Sequence, residues 1–474
     1  MIDNIINILN NLLWGNLLMF VLVAVGLFFT VRTGFAQFRY FRHGFKVLSL
    51  SRSSDEGLSS AEVFFTSMAA RVGTGNMAGV AVAIVAGGPG AIFWMWVIAL
   101  FGMATAMIES TLAQIYKIKD DKGDFRGGPA YYMERGLGQR WMGLLFSVFL
   151  IISFGWAFIA LQANTISAAL HSAFQWDTVL VGLALVVGTA VVIMGGFRRV
   201  AKTATIIVPV MAGLYLLIAL VVIVTNFSQV PAAIMLIVES AFGLREAVAG
   251  GVAYTLAQAM QSGIARGLFS NEAGMGSAAN IAASAAPTPN HPASQGFVQM
   301  IGVFFDTIII CTASAAIIIL TDAHELAGSM NGVALLQHAL QSEMGDWSAM
   351  FLTFAIFLFC FTTIVANYSY AETNVMFLTN KGLKFILPFK ISVLAMVMFG
   401  SVAELKLIWN LADVSMGFMV LINILSLILL SGVAVKVIQD YIEQLKEGKM
   451  PTFSSSKFPE LKKVKGNVWK GRKL

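Results

Sequence analysis

Residues 67–79 read SMAARVGTGNMAG, and residues 262–274 read SGIARGLFSNEAG. Each copy places an arginine, an asparagine and glycines inside an otherwise apolar segment, where a charge is costly and glycine loosens a helix. This pattern predicts two interrupted membrane helices, which in secondary transporters point to a binding site near the bilayer midplane. At a constant offset of 195 positions, the shared residues are Ser67, Ala70, Arg71, Asn76, Ala78 and Gly79, and Ser262, Ala265, Arg266, Asn271, Ala273 and Gly274.

The composition is that of an integral membrane protein. Hydrophobic residues make up 58% of the chain and charged residues 12%, and the mean hydropathy is +0.79, which excludes a soluble globular protein. Cys311 and Cys360 both lie in apolar runs and are expected to be buried thiols. The net charge of +6 comes from loops beside the apolar runs and from a Lys-rich tail, so we expect a lipid bilayer rather than nucleic acid as the partner.

The apolar runs predict an all-α, polytopic fold of eleven transmembrane helices, because about 20 apolar residues cross the hydrocarbon core as a helix. Short outer-face helices are expected at 230–245 and 331–345. The predicted spans are 12–31, 61–85, 89–116, 143–170, 178–195, 203–225, 248–283, 296–320, 348–376, 386–402 and 408–434.

The basic residues predict an orientation. If the N-terminus lies outside, 27 of the 31 Lys and Arg residues fall in inner loops or the C-terminal tail. Arg245 and Lys406 then lie outside, and Arg71 and Arg266 lie within spans. Asp3 and no basic residue precede the first span, which is therefore expected to persist rather than to be removed as a signal peptide. We expect a plasma-membrane protein with a cytoplasmic C-terminus.

Five spans separate the starts of the two copies, and an odd number inverts their direction across the membrane. The expected architecture is therefore a 5+5 inverted repeat, residues 61–226 and 227–434. An additional N-terminal helix and basic loop occupy 1–60, and a basic cytoplasmic tail occupies 435–474.

The first copy is expected to break at residues 72–76, because glycines two positions apart free backbone groups that lipid cannot satisfy. Amide groups near Gly75 and Asn76 would receive a carboxylate, and carbonyl groups of Ala69 and Val72 would face a cation. Alternatively, the glycines only permit close helix packing.

The second copy is expected to break at residues 267–272, with Phe269 as an apolar wall and Ser270 or Asn271 at the polar end of the ligand. Arg71 and Arg266 are interpreted as counter-ions rather than as substrate contacts. Their expected partners are carboxylates within the membrane, such as Glu109, Glu272 or Asp306.

Three further polar side chains are candidates. Gln162, in the fourth span, either contacts the ligand or joins helices. Thr362 and Thr363, in the ninth, can complete an oxygen shell around sodium or bond back to their own helix. No histidine lies near a cysteine or carboxylate at metal-ligand spacing and no P-loop is present, so we expect neither an enzyme nor direct ATP drive.

Three motifs resemble blocks of the alanine or glycine:cation symporter family. The first is GGPGAIFWMW at 87–96, which extends to Gly102. The other two are GGPAYYME at 127–134 and SNEAG at 270–274. The resemblance covers essentially the whole chain. It implies the leucine-transporter fold and uptake of alanine or glycine, coupled to sodium or occasionally to protons.

The run at 72–76 is also similar to the break in the first core helix of sodium-coupled transporters of that fold. This similarity implies carboxylate binding at Thr74, Gly75 and Asn76. It implies a sodium site at Ala69 and Val72 with the hydroxyls of Thr362 and Thr363. Arg71 departs from the small residue of most relatives of the wider fold, and puts a second sodium site in doubt.

The expected function is sodium-coupled symport of small neutral amino acids by alternating access, with no cofactor besides the coupling ion. A small ligand fits because Thr74, Gly75 and Phe269 leave little room beyond a Cβ atom. Proton coupling, a preference for glutamine or serine, and an ion channel remain alternatives, and a membrane enzyme is the weakest.

Overall fold

The computed structural model of the 474-residue chain describes nearly all of it, and the described part is almost entirely helical. Arg245 and the basic tail residues Lys462, Lys463, Lys465, Lys470, Arg472 and Lys473 lie outside this part. The described residues are 2–52, 57–120, 123–194, 197–244, 247–249, 252–327, 329–379, 383–461, 464 and 468–469.

The first half of the chain contains helices of very different lengths, in keeping with the uneven apolar runs of the sequence. Two π-helical segments, Leu13–Leu17 and Ile151–Ala157, continue neighbouring helices without a break. A short antiparallel pair, β1 (Ile118–Lys119) and β2 (Phe125–Arg126), follows α7. The helices are α1 (Ile2–Leu12), α2 (Leu18–Arg32), α3 (Ala36–Arg39), α4 (Phe41–Ser49), α5 (Ser60–Arg71), α6 (Ala78–Gly87), α7 (Gly90–Ile115), α8 (Pro129–Leu137), α9 (Arg140–Leu150), α10 (Phe158–Phe174), α11 (Thr178–Met194) and α12 (Phe197–Thr225).

The second half is built in the same way. A π-helical segment, Phe304–Cys311, joins α16 to α17, and a second antiparallel pair is formed by β3 (Ala247–Ala249) and β4 (Val252–Tyr254). Single 3-10 turns occur at Phe227–Gln229, Ala323–Leu326, Leu383–Phe385, Ser455–Lys457 and Pro459–Leu461. The helices are α13 (Val230–Ala241), α14 (Leu256–Asn271), α15 (Ser277–Ala283), α16 (Pro292–Val303), α17 (Thr312–Leu320), α18 (Val333–Met344), α19 (Asp346–Leu378), α20 (Ile386–Val402) and α21 (Leu405–Lys446).

Within the described residues, seven helices are long and apolar enough to cross a membrane. Of the other predicted spans, two are the interrupted helices, and two are the 17-residue apolar helices α11 and α20. The number eleven therefore stays a prediction. The seven are Ile8–Arg32, Gly90–Ile115, Arg140–Phe174, Ile206–Thr225, Pro292–Leu320, Asp346–Leu378 and Leu405–Lys446.

One predicted boundary is wrong. The seventh span does not begin at residue 248, because residues 247–249 and 252–254 pair as antiparallel strands and α14 starts at Leu256. Helix α21 contains the predicted span 408–434 and extends beyond it to Lys446. Helices do occupy the two stretches expected to hold short ones, as α13 and α18.

Capping boxes begin both interrupted helices. The Ser59 hydroxyl accepts from the backbone of Glu62, whose carboxylate accepts from the backbone of Ser59, and Thr255 and Gln258 repeat the arrangement. Each box satisfies backbone donors that a helix start leaves unpaired. The sequence thus specifies both starts locally.

The two interrupted helices run antiparallel. At one end, the backbone of Leu58 bonds to that of Ser284 (3.1 Å) and Ala286 (2.8 Å), so the start of α5 meets the end of α15. At the other end, Gly87 of α6 lies against Gln258 of α14, where an added Cβ would come within 2.8 Å of a backbone oxygen. Helices α7, α10, α16 and α19 pack around this pair.

Candidate functional site

The first interruption lies where the sequence predicts it. Helix α5 ends at Arg71, Val72 is extended, and residues 74–76 form a single 3-10 turn before α6 begins at Ala78. The side-chain oxygen of Asn76 accepts a hydrogen bond from the backbone N–H of Gly73 (3.1 Å), which fixes the turn. Both half-helices therefore end in the buried interior.

Close approach of other helices explains the glycine at position 73. A Cβ atom there would lie 2.6 Å from Thr363 Oγ1 and 2.7 Å from Gln162 Oε1. Polar side chains of α19 and α10 thus reach the broken backbone from two sides. A larger residue at Gly73 would displace both.

Thr74 connects the interruption to α10. Its backbone N–H donates to Gln162 Oε1 (3.0 Å), and its hydroxyl donates to the same oxygen (2.8 Å). Thr165 Oγ1 and Cys360 Sγ lie 2.9 Å and 3.4 Å from the Thr74 hydroxyl. The structure therefore brings Gln162 to the break, as the prediction of a ligand contact requires.

Asn76 connects the two interrupted helices through a buried acid. Its side-chain amide donates to Asp306 Oδ1 (2.7 Å) and to Ser270 Oγ (2.9 Å). The Ser270 hydroxyl in turn donates to Asp306 Oδ2 (2.6 Å), which also accepts from Thr307 Oγ1 (2.9 Å). The carboxylate thus receives donors from both copies of the repeated motif.

Aromatic rings form one wall of the site. The ring of Phe269 lies 4.5 Å from that of Phe158 and 4.9 Å from that of Trp409, between centroids. A Cβ added to Gly75 would lie 3.0 Å from Phe269 Cδ1 and 3.2 Å from Ser270 Cα. The apolar wall predicted at Phe269 therefore contacts the first interruption directly.

Thr363 lies among carbonyl oxygens of the first interruption. Its hydroxyl oxygen is 2.7 Å from the carbonyl of Ala69, 3.2 Å from that of Val72 and 2.9 Å from that of Phe359. A hydroxyl has one proton and can donate to only one of them. It can therefore not satisfy the carbonyls of both Ala69 and Val72, and a group of such oxygen atoms is the environment that a hard cation prefers.

Two predicted residues lie apart from these groups. The Thr362 hydroxyl donates to the carbonyl of Phe359 (2.9 Å) on its own helix, as threonine does within helices, and is not brought to Ala69 or Val72. Asn271 accepts from the backbone of Ala273 (3.0 Å) and caps the end of α14.

The second interruption lies at residues 272–276, and the expected position at 267–272 is wrong. Helix α14 continues through Asn271, and the chain turns where Glu272, Gly274 and Gly276 take φ values of +59°, +92° and +88°. This left-handed backbone favours glycine. Phe269 and Ser270 therefore project from an intact helix end.

The second interruption is attached to neighbouring helices. Glu109 of α7 accepts from the side-chain amide of Asn423 (2.5 Å) and from the backbone of Gly274 (3.4 Å). Asn423 of α21 also donates to the carbonyl of Gly274 (2.9 Å), and its oxygen accepts from the Tyr132 hydroxyl. The turn that replaces the helix is thus held by buried polar side chains.

The two arginines differ in their surroundings. Arg266 is the counter-ion of a buried carboxylate, Asp413 of α21, which is not among the three acids named as examples, and it lies 4.2 Å from the ring centre of Trp409. Arg71 is 2% exposed, and none of its guanidinium nitrogens has a hydrogen-bond partner among the described residues. Arg71 interacts electrostatically with the three carboxylates named in the sequence analysis as examples of counter-ions, Glu109, Glu272 and Asp306.

The sequence prediction missed several residues of the site. Three of them are Thr165, Cys360 and Trp409. They occur in apolar runs, and nothing in the sequence around them indicates a functional role. The sequence analysis interprets Asp306 only as a counter-ion, although an ionisable residue within a membrane helix is by itself a sign of a functional site. Its central place between Asn76 and Ser270 follows from the fold.

The fold and the site define a polytopic membrane protein whose buried polar groups converge on two antiparallel, interrupted helices, an arrangement typical of secondary transporters. The chain belongs to the sodium:alanine symporter family, which it matches over residues 1–455. The resemblance of its motifs to this family is thereby confirmed. Members of the family are transporters and not enzymes.

The chain is similar over nearly its full length to several family members. It is 47% identical over 472 residues to the amino-acid carrier protein AlsT of Bacillus subtilis, covering 99% of this chain and 98% of AlsT. It is 48% identical over 455 residues to the probable sodium/glutamine symporter GlnT of the same species, covering 95% and 93%. It is 37% identical over 444 residues to the sodium/alanine symporter AgcS of Methanococcus maripaludis, covering 91% and 95%.

Proposed function

We propose that this chain is a sodium-coupled symporter of small neutral amino acids, alanine and/or glycine, that imports them by alternating access. The observation that carries the proposal is the convergence of both interrupted helices on one group, Asn76, Ser270 and Asp306. Movement of either interruption changes this group, so ligand binding and helix movement are coupled. Membership of the sodium:alanine symporter family supports the same function.

The proposed sodium site is formed by the carbonyl oxygens of Ala69 and Val72 and the hydroxyl of Thr363. The short oxygen–oxygen distances around Thr363 Oγ1 support this assignment, because a cation would relieve the repulsion of the unprotonated lone pairs. Thr362 is left out of the proposal, since its hydroxyl is used by its own helix.

The proposed substrate site lies beside the sodium site. The carboxylate of the amino acid binds at the turn of the first interruption, where Gln162 is available to exchange its bonds to the Thr74 backbone and hydroxyl for bonds to the ligand. The aromatic wall limits the side chain to a small one. The proposed contacts are Thr74, Gly75, Asn76, Gln162, Phe269 and Ser270, with Asn271 as a polar neighbour.

The proposed architecture is the leucine-transporter-like 5+5 inverted repeat of eleven transmembrane helices. The antiparallel course of the interrupted helices supports the inversion. The repeats comprise 61–226 and 227–434, with an additional N-terminal unit at 1–60 and a tail at 435–474. The distribution of basic residues supports an outer N-terminus and a cytoplasmic C-terminus in the plasma membrane.

The driving force suffices for accumulation. One sodium ion crossing about 100 mV supplies about 2.3 kcal/mol, and a tenfold concentration gradient adds about 1.4 kcal/mol. Together these permit an accumulation of several hundredfold, on the order of 500-fold.

Uptake of labelled alanine into proteoliposomes tests the proposal. Alanine uptake should depend on an inward sodium gradient and disappear in Gly75→Leu, because even a Cβ at Gly75 would lie 3.0 Å from Phe269. Gly432→Leu is the matched control, since a Cβ at that helical position would meet no atom within 4 Å among the described residues outside its own helix turn.

Competition identifies the substrate in the same assay. Unlabelled alanine and glycine should inhibit labelled uptake more strongly than glutamine or serine. Stronger inhibition by glutamine would reassign the substrate, uptake driven by protons alone would reassign the coupling ion, and ion current without solute would indicate a channel.

A further inference from the structure

A short amphipathic segment follows the first long helix of the chain. After α2 ends at Arg32, the backbone turns at Gly34 and Phe35, which take φ values of +65° and +58°, and then forms α3 and α4. The exposed side chains of this segment include aromatic and basic ones. They form a surface that we call the α3–α4 surface, which consists of Phe35, Phe38, Arg39, Arg42, Phe45 and Lys46.

The opposite face of α4 packs closely against α16. Gly44 and Val47 are buried, and a Cβ on Gly44 would lie 2.5 Å from Ile301 Cγ1 and 3.0 Å from the carbonyl oxygen of Phe297. A larger residue at position 44 would push the two helices apart. The glycine therefore holds α4 against α16, with the aromatic and basic side chains on the outer face.

The α3–α4 surface carries a positive charge that the surrounding sequence does not balance. Residues 4–54 contain five Lys or Arg residues and no Asp or Glu. Three of the five, Arg39, Arg42 and Lys46, belong to the surface and are exposed. Clustered bases attract anions, and the phosphate groups of anionic lipids are the anions that lie next to a membrane helix.

The exposed aromatic rings favour a lipid over a soluble acidic partner. Phe35, Phe38 and Phe45 are exposed by 49%, 51% and 37% and are interleaved with the bases. The surface also continues directly from α2, whose side chains Phe28 and Val31 are exposed within a helix long and apolar enough to cross a membrane. Rings that enter the acyl region beside bases that meet headgroups are typical of a helix at the membrane interface.

Ring contacts connect the α3–α4 surface to the candidate functional site. The ring of Phe41 lies 4.8 Å from that of Phe304, and the ring of Phe45 lies 5.8 Å from that of Phe305, between centroids. Phe304 and Phe305 immediately precede Asp306 in the π-helical segment, and the Asp306 carboxylate accepts hydrogen bonds from both interrupted helices. A ligand that holds α4 in place therefore also holds this segment.

We propose that the α3–α4 surface binds an anionic phospholipid and that the bound lipid accelerates transport. The phosphate group meets Arg39, Arg42 and Lys46, and the acyl chains lie against Phe38 and Phe45. The lipid fixes α4 and, through it, the π-helical segment, so the interrupted helices move against a rigid support. The binding site stands on the surface alone, whereas the acceleration rests on the proposed symport.

Melting temperatures of the purified protein in a neutral detergent test the binding. Dioleoylphosphatidylglycerol should raise the melting temperature to a plateau, whereas phosphatidylcholine with the same acyl chains should not. In a triple variant, Arg39→Gln with Arg42→Gln and Lys46→Gln, the phosphatidylglycerol concentration for half of this rise should increase about 100-fold, because each base near the headgroups contributes about fivefold.

A second triple variant is the matched control. Lys384→Gln with Lys406→Gln and Lys446→Gln removes the same charge from exposed positions elsewhere and should respond to phosphatidylglycerol as the unaltered protein does. An equal loss in both variants would show a general effect of charge and overturn the site. A rise of the same size with inorganic phosphate, or with polyglutamate in place of the lipid, would also overturn it, in favour of a free anion or an acidic protein.

Labelled alanine uptake per reconstituted protein tests the acceleration. Uptake should be several-fold faster in vesicles of equal parts phosphatidylcholine and phosphatidylglycerol than in phosphatidylcholine alone, and the triple variant at Arg39, Arg42 and Lys46 should lose this gain. Equal uptake by the unaltered protein in both compositions would overturn the acceleration. If phosphatidylglycerol binding depends on the three bases but alanine is taken up in neither composition, the symport proposal fails and the lipid site stands.

Discussion

Replacement of Thr363 by valine removes one hydroxyl from the proposed sodium site and keeps the branched shape of the side chain. In the structure the hydroxyl oxygen lies 2.7 Å from the carbonyl of Ala69 and 3.2 Å from that of Val72, and 2.9 Å from the carbonyl of Phe359 on its own helix. Loss of a hydrogen-bonding group opposite a charge costs about 1.5–3 kcal/mol. The sodium concentration for half-maximal alanine uptake should therefore rise about 10- to 150-fold.

The neighbouring threonine provides the control. Thr362→Val removes a hydroxyl one residue earlier, where it bonds to the backbone of its own helix, and Thr363→Ser keeps the hydroxyl at position 363. Both should show nearly the sodium dependence of the unaltered protein. The assay is initial alanine uptake into proteoliposomes over a series of sodium concentrations, with melting temperatures to verify folding.

The outcome is decisive in either direction. Equal shifts for Thr362→Val and Thr363→Val would show that neither oxygen selectively binds sodium. An unchanged sodium dependence in Thr363→Val would refute the assignment of the carbonyl and hydroxyl group as the coupling site.

Three further changes have defined outcomes. Gln162→Ala leaves a buried hydroxyl and backbone N–H without their acceptor, at about 1–3 kcal/mol, so the alanine concentration for half-maximal uptake should rise about 5- to 150-fold in uptake assays. Arg266→Met strands the buried Asp413 and should lower stability by about 3–5 kcal/mol, measured as a fall in melting temperature, whereas adding Asp413→Asn should recover most of it. Burial lowers the pKa of His291, against the opposing effect of Asp440, so the folded state binds fewer protons than the unfolded state. Stability should therefore fall as the pH drops below the ordinary value of 6.5, and melting temperatures across that range, with His291→Asn as the less sensitive variant, measure the effect.

The first interruption could be predicted because its signal is local. Two glycines flanking Thr74 permit the turn, and Asn76 closes it through a bond only three residues long. The capping box at Ser59 specifies where the preceding helix starts. Structural features that depend on residues a few positions apart in the chain can be predicted from the sequence.

The sequence pattern places the second interruption at the wrong residues because glycine serves two purposes. Gly267 lies in an intact helix and allows α7 to approach, since a Cβ there would lie 2.6 Å from Ile98 Cγ2. Gly274 and Gly276 instead supply the left-handed backbone of the turn. Sequence similarity to the first copy favours a break near Gly267, and only the packing in the structure distinguishes the two uses of glycine.

The partners of buried charges depend on the fold. Arg266 meets Asp413 across 147 positions, and Asp306 meets Asn76 across 230. The sequence indicates that a buried charge needs an oppositely charged or hydrogen-bonding partner. It does not indicate which of the several possible residues that partner is. Thr362 and Thr363 likewise look equivalent in the sequence. In the structure only the hydroxyl of Thr363 reaches the carbonyls of Ala69 and Val72, because the packing of α19 against α5 decides which side of the helix faces them.

Steady-state accumulation of alanine as a function of the imposed sodium gradient tests coupling at the interrupted helices most directly. We predict that the internal-to-external alanine ratio rises with each increase in the gradient and collapses to unity when sodium is equal on both sides at zero membrane potential and equal pH. An accumulation ratio that stays at unity under every imposed sodium gradient would contradict sodium-coupled transport by this protein.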